Sequence, residues 1–493
     1  MQNKEKYVER HISRLKSVMA DSIKKKHFEK AMAAVSVGCQ ILYEFNQRYT
    51  DDDFENGVID IAAEFIRSFT DKIQSFHSDR NTVLFYDGFG LDTRGVAKMY
   101  LNALKKNGYK IIYITGQASK ECMPETDAIL NDADAECFYI DFKSSYTAWT
   151  KELLEIVFRT SPKAMFYYTT PYDVSGAVAF AVSDGLADRF LIDLTDHAFW
   201  LGTKCNDYFC GSREMSASNQ VYERGIEREK LIKLGVNLIV NETNEDHSGL
   251  PFDVEKTRYI FSGGALYKTL GDENRYYYRI IDHILTQNPD VYFLYAGSGD
   301  QSEMDKILKK YPNRAFLIPE RKDFYYLIQQ CTLYLNTYPM FGGMMMKYSA
   351  HAGKLPITLK HENDSDGLLL DQSSRKIEYE TFEELIQDVD KLLSDRDYLK
   401  AREELLQGST ISEERFIRNV YSSIEEHRTD YNHTMERIDT SKFKEEFLDR
   451  FDIRQVETKV SRLINRSLFI NCPWMLGVLS KNMVKKTLKR IKK

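Results

Sequence analysis

Apolar positions in the first 78 residues recur at helical spacing. Ala31, Met32, Val35, Val37, Ile41, Leu42 and Phe45 mark one face, and a second amphipathic run covers residues 58–73. The polar segment 49–56 is read as the break between them. Its run Asp51-Asp52-Asp53 predicts a helix start, where carboxylates cap free amides and suit the dipole, rather than a metal site. From Thr82 the pattern changes. VLFYDGFGLDTRGVAKMYLNALKKNGYKIIYIT predicts a strand, a glycine loop, an amphipathic helix closed by Gly108, and a second apolar strand. More strands are expected at 137–140, around 164–168, at 189–194 and at 207–210, with a helix then ending near Gly235. Strands alternating with helices imply a parallel sheet.

A second series opens after the polar stretch 241–249 and Pro251, read as a linker. It contains a strand, Ser262-Gly263-Gly264, Lys268, a long helix, another strand and Gly297-Ser298-Gly299. CTLYLNTYPMFGGMMMKYSAHAGKLPITLK follows from Cys331. It predicts a strand at 332–336, a turn with Pro339 and Gly342-Gly343, a helix closed by Gly353, and a strand after Pro356. Residues 378–407 and 411–465 read as charged helices. The expected fold is α/β, with two Rossmann-like domains facing a cleft and an N-terminal helical region. The expected boundaries are 1–78, 79–245, 246–425 and 426–493.

Composition narrows the class. A chain of 493 residues with 43% hydrophobic and 29% charged residues fits a soluble protein of two or three domains. Its 31 Tyr and 28 Phe against 3 Trp imply cores with many polar-tipped rings. A net charge of −6 argues against nucleic acid as a partner. The seven cysteines are scattered without zinc spacing, the N-terminus lacks a signal-peptide pattern, and no apolar run of membrane-spanning length occurs. A cytoplasmic location is expected.

Candidate chemistry lies at the expected strand ends, where open parallel sheets bind ligands. Glycine loops near 263, 298 and 342 can approach a diphosphate closely, and Gly342-Gly343 opens a helix whose free amides suit an anion. Ser262, Gly263, Gly264, Gly297, Ser298, Gly342, Gly343, Met344 and Met345 are therefore candidate donor-binding residues, with Lys268 as the cation against a leaving diphosphate. In the first series, Asp87-Gly88-Phe89-Gly90 is a candidate acceptor loop. It is followed by the polar cluster LIDLTDHAFWLG, where Asp193, Asp196, His197 and Trp200 crowd a strand end. His197 beside Asp196 suits a general base or a hydroxyl-orienting pair, and Trp200 suits a sugar face. The plainer alternative is a histidine hydrogen-bonded within a strand–loop junction.

Two Rossmann-like halves with a nucleotide loop in the second resemble a glycosyltransferase of the GT-B architecture. The stretch from Phe261 to Lys268 is similar to the lysine segment of the O-GlcNAc transferase and bacterial adhesin glucosyltransferase group, and the segment from Gly342 to Pro356 is similar to that group's nucleotide-binding helix. Asp196-His197-Ala198-Phe199-Trp200-Leu201-Gly202 looks like a motif of bacterial surface-glycan transferases. The resemblance spans about residues 80–420. It implies a nucleotide-sugar donor, UDP-linked in that group, Lys268 on the diphosphate, and no metal or other cofactor. It also implies a glycan, lipid-linked glycan or glycoprotein as acceptor.

The chain departs from the group in two places. Met344-Met345-Met346 replaces the threonines of the phosphate helix, and Met340 and Tyr348 stand where retaining enzymes carry glutamates. An inverting displacement is therefore expected. Asp364-Ser365-Asp366 resembles a metal-binding DxD but reads as a turn, with Asp366 a candidate for the sugar pocket. Two alternatives stand beside this reading: a non-catalytic binding or chaperone subunit, and a nucleotide-sugar epimerase. Finally, an apolar patch at 468–479 beside seven Lys/Arg from Lys481 to Lys493 suits either an anionic membrane surface or a docking helix with a solvated tail.

Overall fold

The computed structural model describes residues 2–92, 95–142, 144–240, 247–360, 369–433 and 435–460. The chain divides into two compact units. The first is Met1–Val236 together with the chain from Glu414, and the second is Asn237–Glu413.

The first unit opens with helices Gln2–Lys24, Phe28–Phe45 and Asp52–Ser68. The acidic run is a helix start. Asp51 accepts the Phe54 N–H at 3.3 Å, and Lys16 bridges Asp51 and Asp53 at 2.8 Å each. Seven parallel strands follow: β1 (Asp79–Asp87), β2 (Lys110–Gly116), β3 (Glu136–Ile140), β4 (Pro162–Tyr168), β5 (Asp188–Ile192), β6 (Tyr208–Gly211) and β7 (Leu231–Lys233). Their order is β3-β2-β1-β4-β5-β6-β7. The central strand β1 is buried continuously from Thr82 to Asp87, as a parallel strand covered on both faces must be.

β7 departs from the expectation of a helix ending near Gly235. Gly225, at φ +70°, ends the short helical run begun at Glu214, so Leu231–Lys233 is left to pair with β6. The charged stretch from 411 forms helices as expected, with breaks between them. Glu413–Glu426 stops at His427 (φ +55°), and helices resume at Ser441–Arg450 and Ile453–Val460. Glu413–Glu426 meets helix Gly95–Lys106, with Phe416 edge-on to Tyr100 at 5.4 Å. One apolar core runs from Val8 in the first helix through Leu84, Ile112 and Met165 of the sheet to Val456. The N-terminal helices are thus a wall of this unit's core.

The second unit repeats the scheme with β8 (Tyr259–Gly263), β9 (Tyr292–Ala296), β10 (Ala315–Ile318), β11 (Leu333–Leu335), β12 (Pro356–Leu359) and β13 (Glu378–Tyr379). Their order is β10-β9-β8-β11-β12-β13, all parallel, around a separate core. In both sheets the strand order reverses beside the first strand, at β1/β4 and at β8/β11. Loops there diverge to opposite faces and leave a crevice at the strand C-termini. Among the described residues no helix is long and apolar enough to cross a membrane.

Candidate active site

In the second unit the crevice at β8/β11 gathers most of the candidate donor residues. The Gly264 N–H donates to Ala296 O and the Leu266 N–H to Ser298 O, both at 2.9 Å, so the loops after β8 and β9 lie against each other. This contact dictates Gly297, where a Cβ would stand 1.9 Å from Gly264 O. Gly264 differs. Its φ of +128° excludes most side chains, yet a Cβ there would meet nothing within 4 Å. The free side of this loop is open to a ligand.

Lys268 sits in the single turn Leu266–Thr269 that follows. Its carbonyl accepts the Met340 N–H at 3.1 Å, and its Nζ donates to Phe341 O at 3.2 Å. The ammonium is therefore held beside the start of helix Gly343–His351. That helix has Gly342 as N-cap and no side-chain cap, and its first internal bond runs from Met346 N to Gly342 O. The amides of residues 343–345 precede that bond and form the helix's positive end. Gly342 itself is anchored by its N–H to Asn336 Oδ1 at 3.1 Å, just past β11. Met344 is exposed and Met345 half-buried, its Cε close to where a Gly263 Cβ would stand.

Two donor candidates face elsewhere. Ser262 is fully buried and pairs its hydroxyl with Tyr277 at 2.6 Å, so it braces the strand rather than a phosphate. Ser298 is exposed, its hydroxyl donating to Glu320 at 3.1 Å.

In the first unit the loop after β1 is closed on itself. Asp87 accepts the N–H groups of Phe89 and Gly90 at 2.9 Å each, and the Tyr113 hydroxyl at 2.8 Å. A Cβ on Gly88 would stand 1.9 Å from Thr169 Oγ1, and one on Gly90 2.2 Å from Ser119 Oγ. These glycines serve internal packing and do not open a face to an acceptor. Phe89 rests on Tyr168, ring centroids 5.0 Å apart.

The polar cluster past β5 is a built network. Asp196 is buried and receives a fork from Arg213 at the end of β6, through Nε and through Nη2 at 2.9 Å. His197 Nδ1 donates to the same carboxylate at 3.2 Å. Burial would raise the Asp196 pKa, but the Arg213 charge and these hydrogen bonds outweigh it and hold the carboxyl far below the usual range. Asp196 is thus too weakly basic to take a proton itself. Its chemistry is to fix His197 with a proton on Nδ1, leaving Nε2 as the basic nitrogen on a half-exposed ring. Asp193 is also buried, accepting from Ser216 and Gln220 at 2.8 Å each.

Trp200 does not offer a sugar platform. It is buried, stacked on Phe209, with the Arg224 guanidinium 4.4 Å from its ring centroid. Asp366 and the basic tail from Lys481 lie outside the described residues. Arg213, Asn336 and Asn46 emerge only in three dimensions, although Arg213 could be suspected as a cation closing the strand before it.

No protein-family model matches the chain, and no curated protein matches its sequence. Solved structures do. A glycosyltransferase from Rickettsia africae is 13% identical with a TM-score of 0.51, covering 71% of this chain and 99% of its own. A Listeria monocytogenes protein provisionally named a UDP-N-acetylglucosamine 2-epimerase is 11% identical with a TM-score of 0.51, covering 71% and 97%. The lipopolysaccharide outer core galactosyltransferase WaaB is 10% identical with a TM-score of 0.50, covering 70% and 99%. At these identities the likeness is one of fold. The chain has two parallel-sheet α/β units of the GT-B type, preceded by helices.

Proposed function

We propose that this protein transfers a sugar from a nucleoside diphosphate donor, a UDP-sugar, to a hydroxyl of a glycan, lipid-linked glycan or glycoprotein, with inversion at the anomeric carbon. The observation that carries the reading is the crevice at β8/β11, where the open side of Gly264, the Lys268 ammonium and an uncapped helix start belong to one set of loops. Each favours an anion, and together they suit the negative charge that grows on a departing diphosphate. In the reaction the acceptor oxygen bonds to the anomeric carbon as the bond to the diphosphate breaks. His197 Nε2 takes the hydroxyl proton, with Asp196 stabilising the imidazolium that results. The surface-glycan role and a membrane-side location, through the basic residues from Lys481, belong to the same proposal.

Titration with UDP, GDP and their sugar conjugates tests the donor site. UDP-sugar affinity should fall about 10- to 100-fold in Lys268→Ala, the scale of a lost charge-assisted contact. Unchanged affinity in the variant removes Lys268 from the site. Donor turnover without any acceptor would indicate an epimerase instead. Acceptor binding with no nucleotide binding would indicate a non-catalytic subunit.

A further inference from the structure

The N-terminal helices hold the His197 loop through two side chains. Asn46, fully buried at the end of helix Phe28–Phe45, donates from Nδ2 to the His197 carbonyl at 2.8 Å and accepts the Phe199 N–H on Oδ1 at 3.0 Å. Glu55, buried in helix Asp52–Ser68, accepts the N–H groups of Gly202, Thr203 and Lys204 at 2.8, 3.1 and 3.1 Å. Both ends of the segment 197–204 are thus fastened to helices outside the sheet. The fastening at Asn46 matters for the imidazole. Its bond to Asp196 is long and shares Oδ1 with Arg213, and the Phe443 and Phe447 rings lie 6.0 and 6.1 Å from it without a polar contact, so the ring's hydrogen-bonding aim rests largely on its backbone. That backbone is held by Asn219 Nδ2 on Asp196 O at 2.8 Å and by Asn46 on the next two links.

We infer that Asn46 is a positioning residue for His197: it fixes the turn 197–199 so that Nδ1 meets Asp196 and Nε2 faces outward for proton transfer. The inference rests on the reading of His197 as the proton acceptor. Asn46 occupies the left-handed region, φ 47° and ψ 40°. There asparagine is among the few tolerated residues, and glycine fits without strain. Asparagine adds what glycine cannot, a donor and an acceptor on one short side chain.

That conformation supplies the test. Asn46→Gly keeps the backbone turn and deletes the clamp, and Asn46→Asp keeps only the acceptor. Nitrogen-15 NMR of His197 in the full chain should show mainly Nδ1–H in the wild type and a mixture of tautomers in both variants. With transfer measured in parallel, kcat should fall about 10- to 100-fold, the scale of a misplaced general base. Nucleotide affinity should stay within about twofold. A wild-type His197 spectrum in Asn46→Gly overturns the inference, whatever happens to stability or rate. Should Asn46→Gly fail to fold, the same spectrum in Asn46→Asp decides. His197→Gln separates the two readings. Full turnover in that variant removes His197 as the proton acceptor, while the tautomer shift in the Asn46 variants still tests the clamp.

Discussion

At the scale of single residues, the glycines of this chain are of two kinds, and the backbone surroundings tell them apart. Gly88, Gly90 and Gly297 are glycines because other protein atoms occupy the space of a Cβ, whereas Gly264 is a glycine beside open space. Only the second kind offers a face to a ligand. Gly297→Ala is therefore expected to push the loop after β9 off Gly264 and disturb the donor loop indirectly. UDP binding should weaken by about tenfold or more, and thermal stability should fall by about 1–3 kcal/mol, as for other overpacked sites. Calorimetric titration and a thermal melt measure both, and a variant that binds and melts like the wild type would show that the loops part freely. The same scale separates Asp196 from His197. Neighbours in sequence, they take different parts because the Arg213 fork holds the Asp196 carboxyl far below its usual range and makes it an orienting group.

At the scale of elements, the segment between helices Glu413–Glu426 and Ser441–Arg450 fastens to β6 and β7 through charge. Glu214, just past β6, pairs with Lys233 of β7 and lies 3.5 Å from buried His433, while Lys233 also donates to Asn432 O. Burial alone would raise the Glu214 pKa, but His433 and Lys233 outweigh it and lower the carboxyl from 4.5 to about 2. A depressed carboxylate pKa stabilises the fold above the unfolded value and loses that contribution as the group protonates. The window is pH 4.5 down to about 2. The expected loss across it is about 1–2 kcal/mol, allowing for solvent screening of a partly exposed group. Urea unfolding at pH 6 and pH 3 should show a smaller drop in Glu214→Gln than in the wild type. Equal drops would place the acid sensitivity elsewhere.

At the scale of the whole molecule, the two units have separate cores and different chain economies. The second, residues 237–413, is one continuous stretch around its own core. The first closes only when the chain returns from Glu414, and its core includes the N-terminal helices. Expressed alone, residues 237–413 should unfold cooperatively and bind UDP, because that reading needs no other part of the chain. Removal of residues 1–78 should instead expose the apolar core they cover and deprive the His197 loop of its Asn46 and Glu55 contacts. Hydrogen exchange on both pieces checks this, and slow exchange in a chain lacking 1–78 would show that the helices are dispensable to the core.

Much of this was written along the chain. The switch from helical to strand periodicity near Thr82, the apolar runs of β1, β4 and β8 and the punctuating glycines specify alternating strands and helices, because burial on two faces requires continuous apolar runs. The run at Asp51 marked a helix start because capping is local chemistry. The sequence alone also singled out Gly264, Lys268, Gly342 and His197 as candidates, by residue type and position after a strand. Tertiary structure alone decided the rest. That Trp200 and Ser262 turn inward, that Gly88 packs on Thr169, and that Arg213 and Asn46 hold the His197 loop all depend on contacts between residues far apart in sequence. Spacing along a chain encodes which side of an element a residue occupies, but not which distant side chain meets it there.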